Sequence, residues 1–95
     1  MHMTTATFNG VVLAESDATE MVEGNHYFPA EAVNWEYFTK TDHSTHCPWK
    51  GDASYYTISA GGDTKENVAW QYENPLEKAT HITNYVAFYP AVSVS

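Results

Sequence analysis

Arginine is absent from this sequence, and four lysines stand against twelve acids, for a formal charge of −8. That shortage of cations excludes the partners that clustered Lys and Arg recognise. Nucleic acids and anionic membrane surfaces need many basic contacts, and a polyanion would be repelled over most of this surface. Cysteine occurs once, at Cys47, so no disulfide forms within the chain and a reduced, cytoplasmic setting is the expectation. No apolar run approaches the roughly 20 residues of a membrane-spanning helix, and no basic-then-apolar leader opens the sequence. Met1 to Met3 can carry a cloning remnant, so His2 is left aside. Phosphate-binding and hydrolase signatures are missing too. "AGGDTKEN" lacks the G-x-x-x-x-G-K-[ST] spacing of a P-loop, and neither G-x-S-x-G nor H-E-x-x-H occurs.

What the chain does have is bulk: 43% of its residues are hydrophobic and 15% aromatic, enough to fill a core and to exclude disorder. Ninety-five residues are expected to make one domain, residues 1–95. Short strand-like runs alternate with turn residues. Asn9-Gly10 lies between "TATF" and "VVLAES", a strong hairpin signal because Asn-Gly tolerates the positive φ of a type I′ turn. "TEMVE" meets Gly24-Asn25, read as a second turn before "HYF". Pro29 opens one helical turn in "AEAVNW", and "EYFTKT" reads as a strand. "DASYYTISA" and "TKENVAWQY" pair across "GGD", with Val68, Trp70 and Tyr72 expected on one face. After Asn74-Pro75, "LEKATHI" forms a brief helix with Leu76, Ala79 and Ile82 inward. The last strand, "NYVAFY", puts Val86 and Phe88 on one face and Tyr85, Ala87 and Tyr89 on the other. Strands at 8-to-12-residue spacing indicate a mainly β fold: a small antiparallel folded-over sheet or barrel with one or two short helical turns.

Reactive residue types gather in "HSTHCPWKGDASYY", His43 to Tyr56. Cys47 is the candidate nucleophile, because a thiolate attacks where nearby positive charge stabilises it. Lys50 reaches back toward it if Pro48 starts a turn that Gly51 closes. The competing reading is a small packed residue, as free cysteines often are. His43, His46 and Cys47, with Asp42, tempt a metal assignment. Structural zinc prefers paired cysteines, so no metal or cofactor is expected. The aromatics Trp49, Tyr55, Tyr56, Trp70, Tyr72, Phe88 and Tyr89 are mostly core, and any surplus on one face would make a binding wall. Carboxylates such as Glu15, Glu23, Asp52 and Glu73 are scattered and mostly solvated.

The segments "AESDATEMVEGNHYFP", "THCPWKGDASYY", "AWQYENP" and "YVAFYP", in this order, resemble the family known as domain of unknown function 427, over about Phe8 to Pro90. The T-x-C-P-[YW]-K-G core is specific. The resemblance implies a compact β-tent-like domain, a fold akin to small zinc-binding proteins whose paired cysteines are missing here. The family is sometimes labelled nucleotidyltransferase-like. Its pattern falls on Glu15, Ser16, Glu23, Tyr27, Phe28 and Pro29, then on Thr45, Cys47, Pro48, Lys50, Gly51 and Tyr55, and then on Ala69, Trp70 and Tyr72 of this chain.

Three functional expectations follow. The first is a small molecule bound around the THCPWKG loop and Trp70, with Glu15, Thr45, Trp49, Tyr55 and Tyr72 contributing. An enzyme using Cys47 with Lys50 as nucleophile or redox centre is the second. The third is an interaction module, including a homo-oligomer.

Overall fold

The computed structural model describes residues 3–95; His2 lies outside them. Nine strands occur among these residues: β1 (Thr4–Phe8), β2 (Val11–Ser16), β3 (Glu20–Val22), β4 (Asn25–Tyr27), β5 (Phe38–Cys47), β6 (Gly51–Ala60), β7 (Asp63–Gln71), β8 (Val86–Phe88) and β9 (Ser93–Val94). They form three antiparallel sheets, ordered β2-β1-β9, β3-β4 and β5-β6-β7-β8. The fold is therefore mainly β, and no barrel closes among the described residues. Three short 3-10 segments, Ala30–Ala32, Trp35–Tyr37 and Glu77–Ile82, supply the helical turns. No helix is long and apolar enough to cross a membrane among the described residues.

Three hairpins turn through two residues, at Asn9-Gly10, Glu23-Gly24 and Gly61-Gly62. Each carries the same pair of positive φ angles, +52 and +80, +54 and +82, +59 and +84 degrees. That is the φ signature of a type I′ turn, whose twist matches the flanking strands. The second turn thus sits one residue earlier than the sequence suggests: Val22 pairs with Asn25, so Asn25 belongs to β4.

Other expectations shift for identifiable reasons. Of "EYFTKT", Glu36 and Tyr37 end the second 3-10 segment and only Phe38 to Thr41 are strand, the start of β5, which continues to Cys47 with an irregularity between Lys40 and Ser44. The supposed loop is therefore mostly strand, paired out to Cys47 against Gly51. Pro29 precedes its 3-10 turn as the capping residue instead of opening it. Ala79 and Ile82 are buried as expected, but Leu76 is 45% exposed, since it caps the 3-10 segment from outside instead of lying within its turns. Val68 leaves the face of Trp70 and Tyr72, since the β6–β7 register slips between Tyr56 and Ile58. The alternation read for β8 holds: Val86 and Phe88 pack on one side, Ala87 and Tyr85 on the other.

The four-stranded sheet is buried on both faces. Its first face packs Tyr56, Ile58, Ala69 and Phe88 against Ala6, Leu13 and Phe28. Its second face carries Ala53, Tyr55, Trp70, Tyr72 and Ala87 under Val22 and Tyr27 of the β3–β4 hairpin and under Ala79 and Ile82. Reciprocal backbone bonds of 2.8 Å between Phe28 and Val86 stitch the hairpin to β8.

Candidate functional site

The turn joining β5 to β6 is Pro48-Trp49-Lys50, and Gly51 closes it with φ +108°. A side chain at 51 would be strained there and would lie 3.4 Å from the Leu76 amide nitrogen. That amide donates to the Lys50 carbonyl at 2.9 Å, fixing the turn against the segment after β7. So held, the Lys50 side chain folds inward and is only 8% exposed. Its ammonium sits 5.6 Å from the Trp49 ring centre and 5.4 Å from that of Tyr72, within cation–π range.

One carboxylate answers this buried cation. Lys50 Nζ donates to Glu23 Oε1, and Trp49 Nε1 donates to Glu23 Oε2 at 3.4 Å. Burial alone would lower the Lys50 pKa. The Glu23 hydrogen bond and the neighbouring Tyr27 and Tyr72 phenols outweigh that penalty and raise it above the usual lysine range. Lys50 therefore stays charged at neutral pH, which suits electrostatic work and not that of a base or amine nucleophile. Glu23 is held below its ordinary range, first by its bond from Lys50 and then by that from Trp49.

Glu23 reaches Lys50 from the first corner of the β3–β4 turn. It is the only residue other than Gly and Asn with a positive φ among the described residues. The equivalent corners of the other two hairpins hold Asn9 and Gly61, the residue types that tolerate this conformation. Glutamate is a poor turn former there, so the hairpin keeps a locally unfavourable residue whose carboxylate clamps Lys50.

From this pair an aromatic wall runs across the second face. Trp70 Nε1 donates to the buried Tyr27 hydroxyl at 3.0 Å, and Trp70 lies 4.7 Å from Tyr89. Tyr89 stacks on Tyr55 with ring centres 6.3 Å apart, and His43 packs against Tyr55 in an edge arrangement with ring centres 4.5 Å apart. The hydroxyls link as well: Thr45 with Tyr55 at 2.9 Å, Tyr55 with Tyr89 at 3.3 Å. The Tyr55 hydroxyl and then burial push Tyr89 up to about 12. Burial raises Tyr72, while the Lys50 charge pulls the other way.

Of the residues singled out in the sequence, Lys50, Trp49 and Tyr72 meet directly, and Tyr55, Thr45 and Trp70 form the adjoining wall. Cys47 is half-buried against the same cluster, and Tyr72 feels both it and Lys50. Glu15 does not join them; it stands on β2 and accepts from Thr5 Oγ1 at 2.9 Å. The acid on Lys50 is Glu23, which sequence reasoning had grouped with solvated carboxylates. An Glu-Gly pair at a hairpin corner where Asn-Gly is favoured was the available signal. His46, next to Cys47 in β5, pairs at the exposed surface with its cross-strand partner Asp52 at 2.8 Å. Among the described residues, no three His, Cys, Asp or Glu side chains converge as metal ligands. A cleft of about 380 Å³ opens elsewhere, between the β3–β4 turn and the C-terminal segment.

The sequence matches, over residues 2–95, the family described as domain of unknown function DUF427, and the chain belongs to that family. The family's short label is that of a nucleotidyltransferase. No curated protein matches the chain significantly.

Proposed function

Starting from that membership, we propose that the protein binds a small planar molecule at the rim of the second face. Trp49, 37% exposed, and Tyr89, 44% exposed, offer ring surface. Tyr55, Trp70 and Tyr72 form the floor beneath them, and Thr45 and Cys47 border it. The observation that carries this reading is the Glu23–Lys50 pair. Burying an ammonium is costly, and an apolar side chain of similar volume would fill the same space without that cost. A charge pair kept there, at the further expense of glutamate in a left-handed turn, favours a role in recognition over one in packing. Lys50 is hidden, whereas the Glu23 side chain is 53% exposed. The accessible charge is thus a carboxylate, anchored from behind by Lys50, on a chain of net charge −8. A ring that stacks on Trp49 and donates a hydrogen bond to Glu23 meets these constraints. A reduced, cytoplasmic setting belongs to the same proposal.

Thermal-shift screening of metabolites tests it. A ligand at a hundred times its Kd adds roughly 2.7 kcal/mol of stability. The gain should vanish in Trp49→Ala and Glu23→Gln. A panel that never raises the melting point, or raises it equally in these variants, sinks the reading.

One observation favours the cysteine alternative: Cys47 is half-buried instead of sealed in the core. If it is a nucleophile, alkylation of the folded chain at pH 7 outpaces that of the unfolded chain. Slower labelling of the folded form removes the alternative.

A further inference from the structure

The cleft beyond the β3–β4 turn is a different site, and its lining has a chemistry of its own. One wall is Gly24, Asn25 and His26, the turn and the start of β4. The opposite wall is Pro90, Ser93 and Val94 with Phe88 and Val92 at the base. Among the described residues, no Asp, Glu, Lys or Arg lines it. An uncharged hollow on a chain with twelve acids sets it apart from the surrounding surface.

Two features make this hollow suited to recognition. Both walls are strand edges: β4 pairs only with β3, and β9 only with β1, within the sheets formed by the described residues. Strand edges carry backbone donors and acceptors that a ligand can satisfy. Of the β4 residues that line it, Asn25 carries a carboxamide and His26 an imidazole, reaching the edge from the two sides of the strand. Thr19 Oγ1 already holds His26 Nδ1 at 2.9 Å, leaving Nε2 for a ligand. Because the hydroxyl either donates or accepts, the free nitrogen adapts as acceptor or donor. The buried base, Phe88 at 5% and Val92 at 3% exposure, supplies apolar contact. At about 380 Å³ the space lies near the small end of the 300–1,000 Å³ typical of small-molecule sites.

We infer that this cleft binds an uncharged heteroaromatic ring bearing an amide-type edge, stacked on the apolar base and hydrogen-bonded between Asn25, His26 and the backbone of β9. A charged ligand is disfavoured because no Asp, Glu, Lys or Arg among the described lining residues sets an opposite full charge against the loss of its hydration. The Glu23–Lys50 clamp also has a part here, since it fixes the turn that forms one wall.

Amide-resolved NMR titration of the full chain with nicotinamide, nicotinate and a capped neutral tripeptide tests the inference. Nicotinamide should produce saturable shifts at Gly24, Asn25, His26, Ser93 and Val94, with nicotinate at least about tenfold weaker. Ser93→Trp, at an exposed position, should fill the space and abolish these shifts while leaving the remaining spectrum unchanged. Asn25→Ala should weaken binding without filling the cleft, which guards against a plug variant that disturbs the fold. Absence of saturable shifts overturns the site, and persistence in Ser93→Trp overturns its location. Equal or tighter binding of nicotinate overturns the neutral class. Saturation by the tripeptide alone replaces a ring with an added strand. Shifts at Ser93 and Val94 of β9, and their loss in Ser93→Trp, report this cleft and not the Glu23–Trp49 site, so this inference and the proposed function fail separately.

Discussion

The two faces of the four-stranded sheet are both buried, yet they are built from different materials. The first is mostly aliphatic and aromatic: Ile58, Ala69 and Val86 are at 0% exposure and Phe28 packs edge-on to Phe88 at 5.7 Å, with a buried polar contact where the Tyr56 hydroxyl donates to Gln71 Oε1 at 2.7 Å. The second is richer in polar groups held by named partners: Trp70 with Tyr27, Tyr55 with Thr45, Lys50 with Glu23. A first face of this kind is sufficient to stabilise a sheet. The second face spends conformational and desolvation free energy to fix polar groups in place, which is a property of sites more than of cores.

Substitutions can sharpen or erase that contrast, and the largest effect belongs to the first face. Phe28→Ala should cost about 3–5 kcal/mol by opening a cavity in the core. Urea unfolding would show the lower midpoint, while any ligand of the second face keeps its affinity for the folded fraction. A loss near zero would mean the two faces do not divide the work this way.

Lys50 comes next. Lys50→Ala should cost about 2–3 kcal/mol, because stem packing and the hydrogen bond to Glu23 both disappear. Lys50→Met, which keeps the bulk and drops the charge, should stay within about 1 kcal/mol of the parent. Near-equality of the two in calorimetry would mean that the charge, not the packing, stabilises the fold.

Trp70→Phe should cost about 1–3 kcal/mol, since it strands the buried Tyr27 hydroxyl, and Tyr27→Phe in the same chain should recover part of the loss. A double-mutant cycle without coupling would break the polar-tip account of this face.

At Glu23 the comparison is between side chains. Glu23→Gln and Glu23→Asn both remove the carboxylate, but asparagine suits the left-handed corner. Glu23→Asn should therefore melt higher than Glu23→Gln; the reverse order would deny that the corner is unfavourable for glutamate.

The pH dependence is the smallest and most specific effect. Lys50 titrates higher when folded, so its contribution is complete below 10.5 and fades as pH rises through the raised value. Glu23 titrates lower when folded, so its contribution is present above 4.5 and fades as pH falls through the lowered value. The stability difference between parent and Lys50→Met should be flat in between and shrink at both ends. Taking that difference removes the similar trend from the exposed Lys40–Glu73 pair.

Local chemistry was legible wherever neighbours in sequence decide it. Asn9-Gly10 and Gly61-Gly62 announced their hairpins because few other residue pairs accept two consecutive positive φ angles. The alternation around Val86-Ala87-Phe88 was legible because side chains of a strand switch faces at every residue. The slip that moves Val68 away from Trp70 was not, because a bulge depends on what the partner strand requires. The true length of β5 was hidden for a related reason: its exposed polar residues look like a loop until β6 pairs with them.

By itself, then, the sequence determined a mainly β chain, its tight turns, and the gathering of Cys47, Trp49 and Lys50 on one short segment. Only the tertiary structure decided which acid meets Lys50, that Glu15 lies elsewhere, and where a cleft opens. Residues 23 and 50 belong to different hairpins, and no periodicity relates them. They meet because the β3–β4 hairpin folds onto the second face of the sheet, a packing choice governed by the buried surface of Val22, Tyr27 and Trp70 together.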